Sequence, residues 1–220
     1  VFSELDNIIF PDGCEVIETV PSQHYVYPIF KCGRSSLTES MKDKGWKFVT
    51  QDNIKKISCP ITVFLRDPRE RFISGVNTFL QQLHRKDHSL DQHTVLYFVN
   101  QYLFLNRHYA PQFHWLLNLM RFSGPNVLIK LEDFKNIKSL TAKNSKAGIQ
   151  PVSDSLQKEI NKLDWEKLEL YFFLDQILID KIGQTVTMAE LINHVKTCHP
   201  ELYKLVFQKT IDRVNVLSEA

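Results

Sequence analysis

Two short stretches of the chain carry residue types able to hold and transfer an anionic group. Residues 26–37 read VYPIFKCGRSSL, an apolar run that breaks into Lys31, Cys32, Gly33, Arg34, Ser35 and Ser36 before another apolar residue. A strand ending in such a turn and flowing into a helix aims backbone N–H groups and the positive end of a helix dipole at one point, which is anion chemistry. Gly33 permits a positive φ or close approach, Lys31 brings an ammonium, Arg34 adds a second charge, and the two serines can cap the helix or donate to ligand oxygens. The second stretch, residues 64–76, reads FLRDPRERFISGV. Here an apolar strand ends in Arg66, Asp67-Pro68 opens a helix, and Ser74 lies a little over two turns inside it. A guanidinium offers paired planar donors to a phosphate, and a hydroxyl supplies one more.

Each stretch also has a plainer reading. The first serves equally as an ordinary strand-to-helix connection, and it does not fit the nucleotide triphosphate loop GxxxxGK[ST], because its lysine precedes the glycine by two residues. In the second, Arg66 can pair locally with Asp67 or Glu70 while Ser74 faces water.

Taken together, the two stretches resemble the cofactor motifs of sulfotransferases that use 3'-phosphoadenosine-5'-phosphosulfate (PAPS). In that family a turn like Lys31-Cys32-Gly33-Arg34-Ser35-Ser36 holds the 5'-phosphosulfate, and an arginine and serine spaced like Arg66 and Ser74, in an RDPxxRxxS setting, hold the 3'-phosphate. Asn106-Arg-His-Tyr-Ala-Pro-Gln112 is similar to the N-x-H-W-x-P-Q segment of the Golgi-type carbohydrate branch, with Tyr109 in place of tryptophan. Residues 127–134, VLIKLEDF, resemble the family's strand ending in E-D, and Lys143-Asn144-Ser145-Lys146 falls where the family places a segment that closes over the nucleotide. The resemblance covers residues 24–180.

It implies a PAPS-dependent sulfotransferase acting on a hydroxyl acceptor, a carbohydrate in the first instance, with no metal. Lys31 then stabilises the bridging oxygen, Cys32 is a small turn residue, and Asn144, Ser145 and Lys146 join Arg66 and Ser74 around the nucleotide. His108, which matches the histidine of the N-x-H-W-x-P-Q segment and falls in a loop before the Pro111 helix, is the candidate general base, because an imidazole titrates in the right range. Residues 32–65 hold no histidine, a departure from family members that place one between the two cofactor motifs. Glu39, His84, His88 and His93 are alternatives. Glu132 and Asp133 read as strand-end ties, and His114 as a packed helix residue. Two other functions stay open: a nucleotide-dependent kinase, disfavoured by the missing GK[ST], and a catalytically inactive nucleotide-binding module of the same fold.

The elements that must position these groups follow from pattern and punctuation. Residues 24–30, 61–66 and 126–131 are short, β-branched and aromatic and predict buried strands, with helices over 35–44, 68–84, 95–105 and 111–122. Alternating strand and helix predicts an α/β, P-loop-like three-layer fold, its central sheet mostly parallel and flanked by helices, with ligands at the carboxyl ends of the strands. Residues 139–153 read as a surface loop, followed by helices over 153–182, 187–198 and 200–217. Thr187 and Glu190 form a capping box there, Pro200 suits a first turn, and Leu202, Leu205, Val206 and Val214 are core positions. The chain reads as one domain, with a core over 24–180 and a helical extension over 183–220.

Composition narrows the partners. With 220 residues, 43% of them apolar, there is enough chain for one substantial core. A formal charge of +2 gives no overall field for nucleic acid or a membrane surface, so the anion site must be local. Cys14, Cys32, Cys59 and Cys198 are scattered, which predicts neither a disulfide framework nor a zinc site and favours a reducing, cytoplasmic compartment. No run approaches the about 18 apolar residues of a membrane span. Because the chain begins at Val1, the alternative is a Golgi-lumenal catalytic fragment whose anchor has been removed.

Overall fold

The computed structural model describes residues 14–86, 108–139, 160–163 and 165–204, together with residues 154 and 158. Its centre is the run Ile61–Leu65 (β4), where β-branched and aromatic residues are buried on both faces. His24–Val26 (β2) and Leu128–Asp133 (β5) flank it, and both pair with it in parallel. The predicted strand over 24–30 leaves the ladder early. Tyr27 still donates to the Thr62 carbonyl at 2.9 Å, but Pro28 has no N–H to give.

Three strands with little sequence signature complete the sheet. Val16–Val20 (β1) pairs antiparallel with β2, Lys47–Val49 (β3) antiparallel with β1, and Thr185–Thr187 (β6) antiparallel with β5. Among the described residues the sheet order is β3, β1, β2, β4, β5, β6. The fold is therefore mixed α/β, and the expected mostly parallel sheet is corrected: two pairings are parallel and three antiparallel. The parallel part is confined to β2, β4 and β5, which carry the two motifs. β1 lacks a clear sequence signature because Glu18 interrupts its apolar run. That buried carboxylate is satisfied by the Ser22 N–H at 2.8 Å, the Tyr25 hydroxyl at 3.1 Å and Lys47 at 2.8 Å.

Alternation along the strands divides the core in two. On one face Tyr27, Val63, Leu65 and Leu131 pack against Phe113, Leu116 and Leu117 of Gln112–Ser123 (α4 below) and Leu174 and Leu178 of Trp165–Ile179 (α5 below). Each such side chain contributes about 1.5–3 kcal/mol when fully buried. On the other, Ile17, Val26 and Phe64 pack with Leu37 and Ile137. The helices in chain order are Arg34–Lys44 (α1), Gln51–Ile54 (α2), Pro68–Lys86 (α3), Gln112–Ser123 (α4), Trp165–Ile179 (α5), Met188–Cys198 (α6) and Pro200–Leu202 (α7). A short 3-10 helix, Phe134–Ser139, follows β5.

The capping box at Thr187 is present in both directions, and Pro200 opens α7. Met188, Leu191, Val195 and Leu202 join the main core cluster, and the segment after residue 183 contributes the strand β6 as well as helices. Leu205, Val206, Val214 and the predicted helix over 95–105 lie outside the described residues. No helix among the described residues is long and apolar enough to cross a membrane.

Gly75 sets the spacing between α3 and the loop before α4. A Cβ there would overlap the carbonyl of His108, so backbone meets backbone only because the side chain is missing. Gly75→Ala is expected to destabilise the fold by about 1–3 kcal/mol through overpacking. The urea midpoint checks this, and an unshifted midpoint contradicts the contact.

Candidate functional site

The turn after β2 is built as its residue types require. Cys32 donates its N–H to the Ile29 carbonyl at 3.1 Å, and α1 starts when Leu37 donates to the Gly33 carbonyl at 3.0 Å. Gly33 has φ +84°, and a Cβ on it would also run into Ile137. Lys31 adopts φ +66° as well, a left-handed conformation costing about 1–2 kcal/mol for a residue with a side chain. The first turn of α1 carries no acidic residue and no side-chain cap, leaving its dipole end to attract an anion.

Three cations converge on this turn. Lys31 Nζ donates to Thr78 Oγ1 at 2.7 Å, and that hydroxyl donates to the Ser74 carbonyl one turn earlier on α3. Arg66, at the carboxyl end of β4, donates from Nη1 to the Lys31 carbonyl at 3.4 Å, from Nε to Glu70 at 3.3 Å, and lies over the Phe134 ring. Arg71 is buried to 1% exposure. It donates from Nε to the Phe30 carbonyl at 3.0 Å and from Nη1 to the Ala110 carbonyl. Burial, followed by the charges of Arg66 and Arg71, holds the Lys31 ammonium below the usual lysine range.

The end of β4 is closed by one side chain. Gln112 Oε1 accepts the Arg66 N–H at 2.9 Å, while Gln112 Nε2 donates to the Arg66 carbonyl at 2.8 Å. The same amide accepts the Cys32 thiol at 3.2 Å and donates to Asp175 at 3.3 Å. Asp175, on α5, also accepts the N–H groups of Gln112 and Phe113 at the start of α4. Burial pushes its carboxyl up, and the Arg71 charge and these donors pull it back.

The predicted site residues divide into those gathered at the turn and those committed elsewhere. Lys31, Cys32, Gly33, Arg66 and Ser74 lie on segments joined by the bonds above, and the His108 ring stacks on Phe30 at 5.1 Å between centroids. Arg34 instead pairs with Glu15 and covers the Phe30 ring at 4.5 Å. Ser35 is exposed at the start of α1, whereas Ser36 is 6% exposed and belongs to the interior. Cys32 is buried, with its thiol pushed up to about 11, which fits a small turn residue. Asn144, Ser145 and Lys146 lie outside the described residues, as do His88, His93 and the side chain of His84. Glu39 is exposed on α1. His114 is a core histidine whose pKa burial lowers to about 3. Glu132 pairs with Lys130 and Asn136, and Asp133 caps the Lys135 N–H.

Arg71, Gln112 and Asp175 are the organising residues that sequence reasoning passed over. Arg71 and Gln112 lie within the RDPxxRxxS and N-x-H-Y-x-P-Q motifs, where adjacent residues do not reveal their partners, and Asp175 has no local signal. A groove of about 500 Å³ lies elsewhere on the sheet, lined by His24, Thr62, Phe64, Lys130, Glu132, Lys135 and Asn136. Its Lys130 and Glu132 pair with each other, and His24 bonds Thr19 and Thr62, while Lys135 adds a second lysine to the lining. No group of three or more metal-ligating side chains occurs among the described residues. Comparison of the chain with family models, curated proteins and solved structures finds no match.

The depressed Lys31 has a definite sign. Its charged form is penalised in the folded state, so the cost is fully present at neutral pH and disappears as pH rises through the folded pKa toward the usual lysine value. Lys31→Met, which keeps the stem and removes the charge, is expected to be at least as stable as the parent at pH 7, with its advantage shrinking toward pH 10. Thermal unfolding across that range checks it; a less stable variant at pH 7 contradicts the penalty.

Proposed function

We propose that the chain is a PAPS-dependent sulfotransferase that transfers a sulfuryl group to a hydroxyl acceptor, in the first instance a carbohydrate, on a P-loop-like α/β fold. The observation that carries this reading is the hydrogen bond from the Arg66 guanidinium to the Lys31 carbonyl. It brings the two motifs together at the carboxyl ends of neighbouring parallel strands, beside a helix N-terminus without an acid.

Magnitudes say which cation is available to a ligand. Arg71 is buried among backbone carbonyls opposite Asp175 and is committed to the fold. Arg66, its side chain only 10% exposed, pairs with Glu70, whose side chain is 58% exposed, so the carboxylate can turn out to water while the guanidinium stays in place. Charge-assisted bonds to a phosphate dianion are roughly twice as strong as neutral ones, so a ligand phosphate can displace Glu70. The plainer reading of Arg66 and the ligand-binding one are thus compatible.

PAPS, when bound, supplies an activated sulfuryl group with adenosine 3',5'-bisphosphate as leaving group. The chain's own residues align the donor, neutralise charge and remove a proton. Lys31 Nζ leaves Thr78 to stabilise the bridging oxygen, helped by Ser35 and the α1 N–H groups. Arg66 and Ser74 hold the 3'-phosphate. Because Arg34 is engaged by Glu15 and Phe30, backbone donors carry more of the anion binding than the motif alone implies. His108 takes the acceptor's proton.

Calorimetry with adenosine 3',5'-bisphosphate against ATP and magnesium tests the reading. Tight binding of the bisphosphate is expected, and a preference for ATP with magnesium would point to a kinase. Transfer of labelled sulfate to a glycan panel then separates an enzyme from an inactive binding module. Lys31→Ala is expected to lower kcat about 10²- to 10³-fold with bisphosphate affinity little changed, whereas Arg66→Ala should mainly weaken binding. Equal loss of affinity with unaltered turnover in both variants would overturn the division of labour.

A further inference from the structure

We propose that Arg71 is a positioning residue: its buried guanidinium clamps the anion turn to the His108 loop and thereby sets the imidazole relative to Lys31. The inference rests on the sulfotransferase reading for its kinetic consequence, and on the geometry alone for its structural one.

Lys31 and His108 are each fastened through the same two connectors. Lys31 lies between Phe30, whose carbonyl accepts from Arg71, and Cys32, whose thiol bonds Gln112. His108 is followed by Ala110, whose carbonyl also accepts from Arg71, and by Gln112 itself. The two segments are far apart in sequence, and the Arg71 bonds alone span 41 and 39 positions. Rings add a further contact, because His108 stacks on Phe30 at 5.1 Å. From the other side the His108 carbonyl rests against Gly75.

The choice of arginine fits this role. A guanidinium holds two donors in a fixed planar fork and can bond two carbonyls at a set angle, whereas an ammonium is a point charge on a flexible stem. Burying a charge is costly, and an apolar pair of the same volume often serves stability as well. Arg71 and Asp175 therefore bring the site a defined geometry more than they bring the fold stability. A displacement of about 1 Å at reacting groups costs on the order of 10²-fold in rate, so a loosened clamp reads out in turnover.

The test uses Arg71→Lys in the full chain. A folded variant by thermal unfolding is expected to bind adenosine 3',5'-bisphosphate within about threefold of the parent, while kcat for sulfate transfer falls about 10²-fold. In the NMR spectrum the His108 ring protons should lose the shift imposed by the Phe30 ring. An unchanged kcat in a folded variant, a parallel fall in affinity and kcat, or unmoved His108 resonances would overturn the clamp. If Arg71→Lys does not fold, Gly75→Ala displaces the same loop with the guanidinium intact and should give the same split between kcat and affinity; a parental kcat there counts against the inference. The NMR arm needs no activity. A parent that neither binds the bisphosphate nor transfers sulfate sinks the sulfotransferase reading, while a His108 shift in Arg71→Lys still upholds the positional role.

Discussion

The site depends on a single buried amide that completes a strand. Where β4 ends, the N–H and carbonyl of Arg66 would be left without ladder partners, and such groups cannot stay unpaired in an interior. Gln112 supplies both, its amide imitating the backbone of a neighbouring strand. It then uses its remaining hydrogen-bonding capacity on Cys32 and Asp175, so donors and acceptors are spent in full. Four segments distant in sequence meet through one side chain, and networks of this kind are strong when complete and costly when broken.

This arrangement explains why like charges can share a small volume. Arg71 is held by two carbonyls and faced by Asp175, which is in turn held by the N–H groups that open α4. The neighbouring Lys31 and Arg66 remain under-compensated, Lys31 bonded to a neutral hydroxyl and Arg66 to an exposed carboxylate. Both lie near the N-terminus of α1, which carries no acidic residue in its first turn and adds the positive end of its dipole there. A charge of only +2 over the whole chain is consistent with a field of this local kind.

The mixed sheet serves the same end. Its parallel strands bring the ends of β2 and β4 side by side, while β1, β3 and β6 widen the sheet, β3 and β6 as its outer strands among the described residues. Helix packing is heavier on the face that carries α4 and α5. That is the face from which Gln112 and Asp175 reach the strand ends.

What the sequence determined by itself is local. A β-branched run at 61–65, Asp-Pro opening α3, a glycine at positive φ before α1 and a capping box at 187–190 each act within a few residues, so their physics is written in adjacent letters. The turn and the Arg66 helix were legible for that reason. The tertiary structure decided the partners: that β1, broken by Glu18, and the three-residue β6 belong to the sheet, that Arg34 turns to Glu15, and that Arg71, Gln112 and Asp175 fasten the site. Gln112 and Asp175 stand 63 positions apart. Such a bond forms only after the core has brought the helices together, and no neighbouring residue records it.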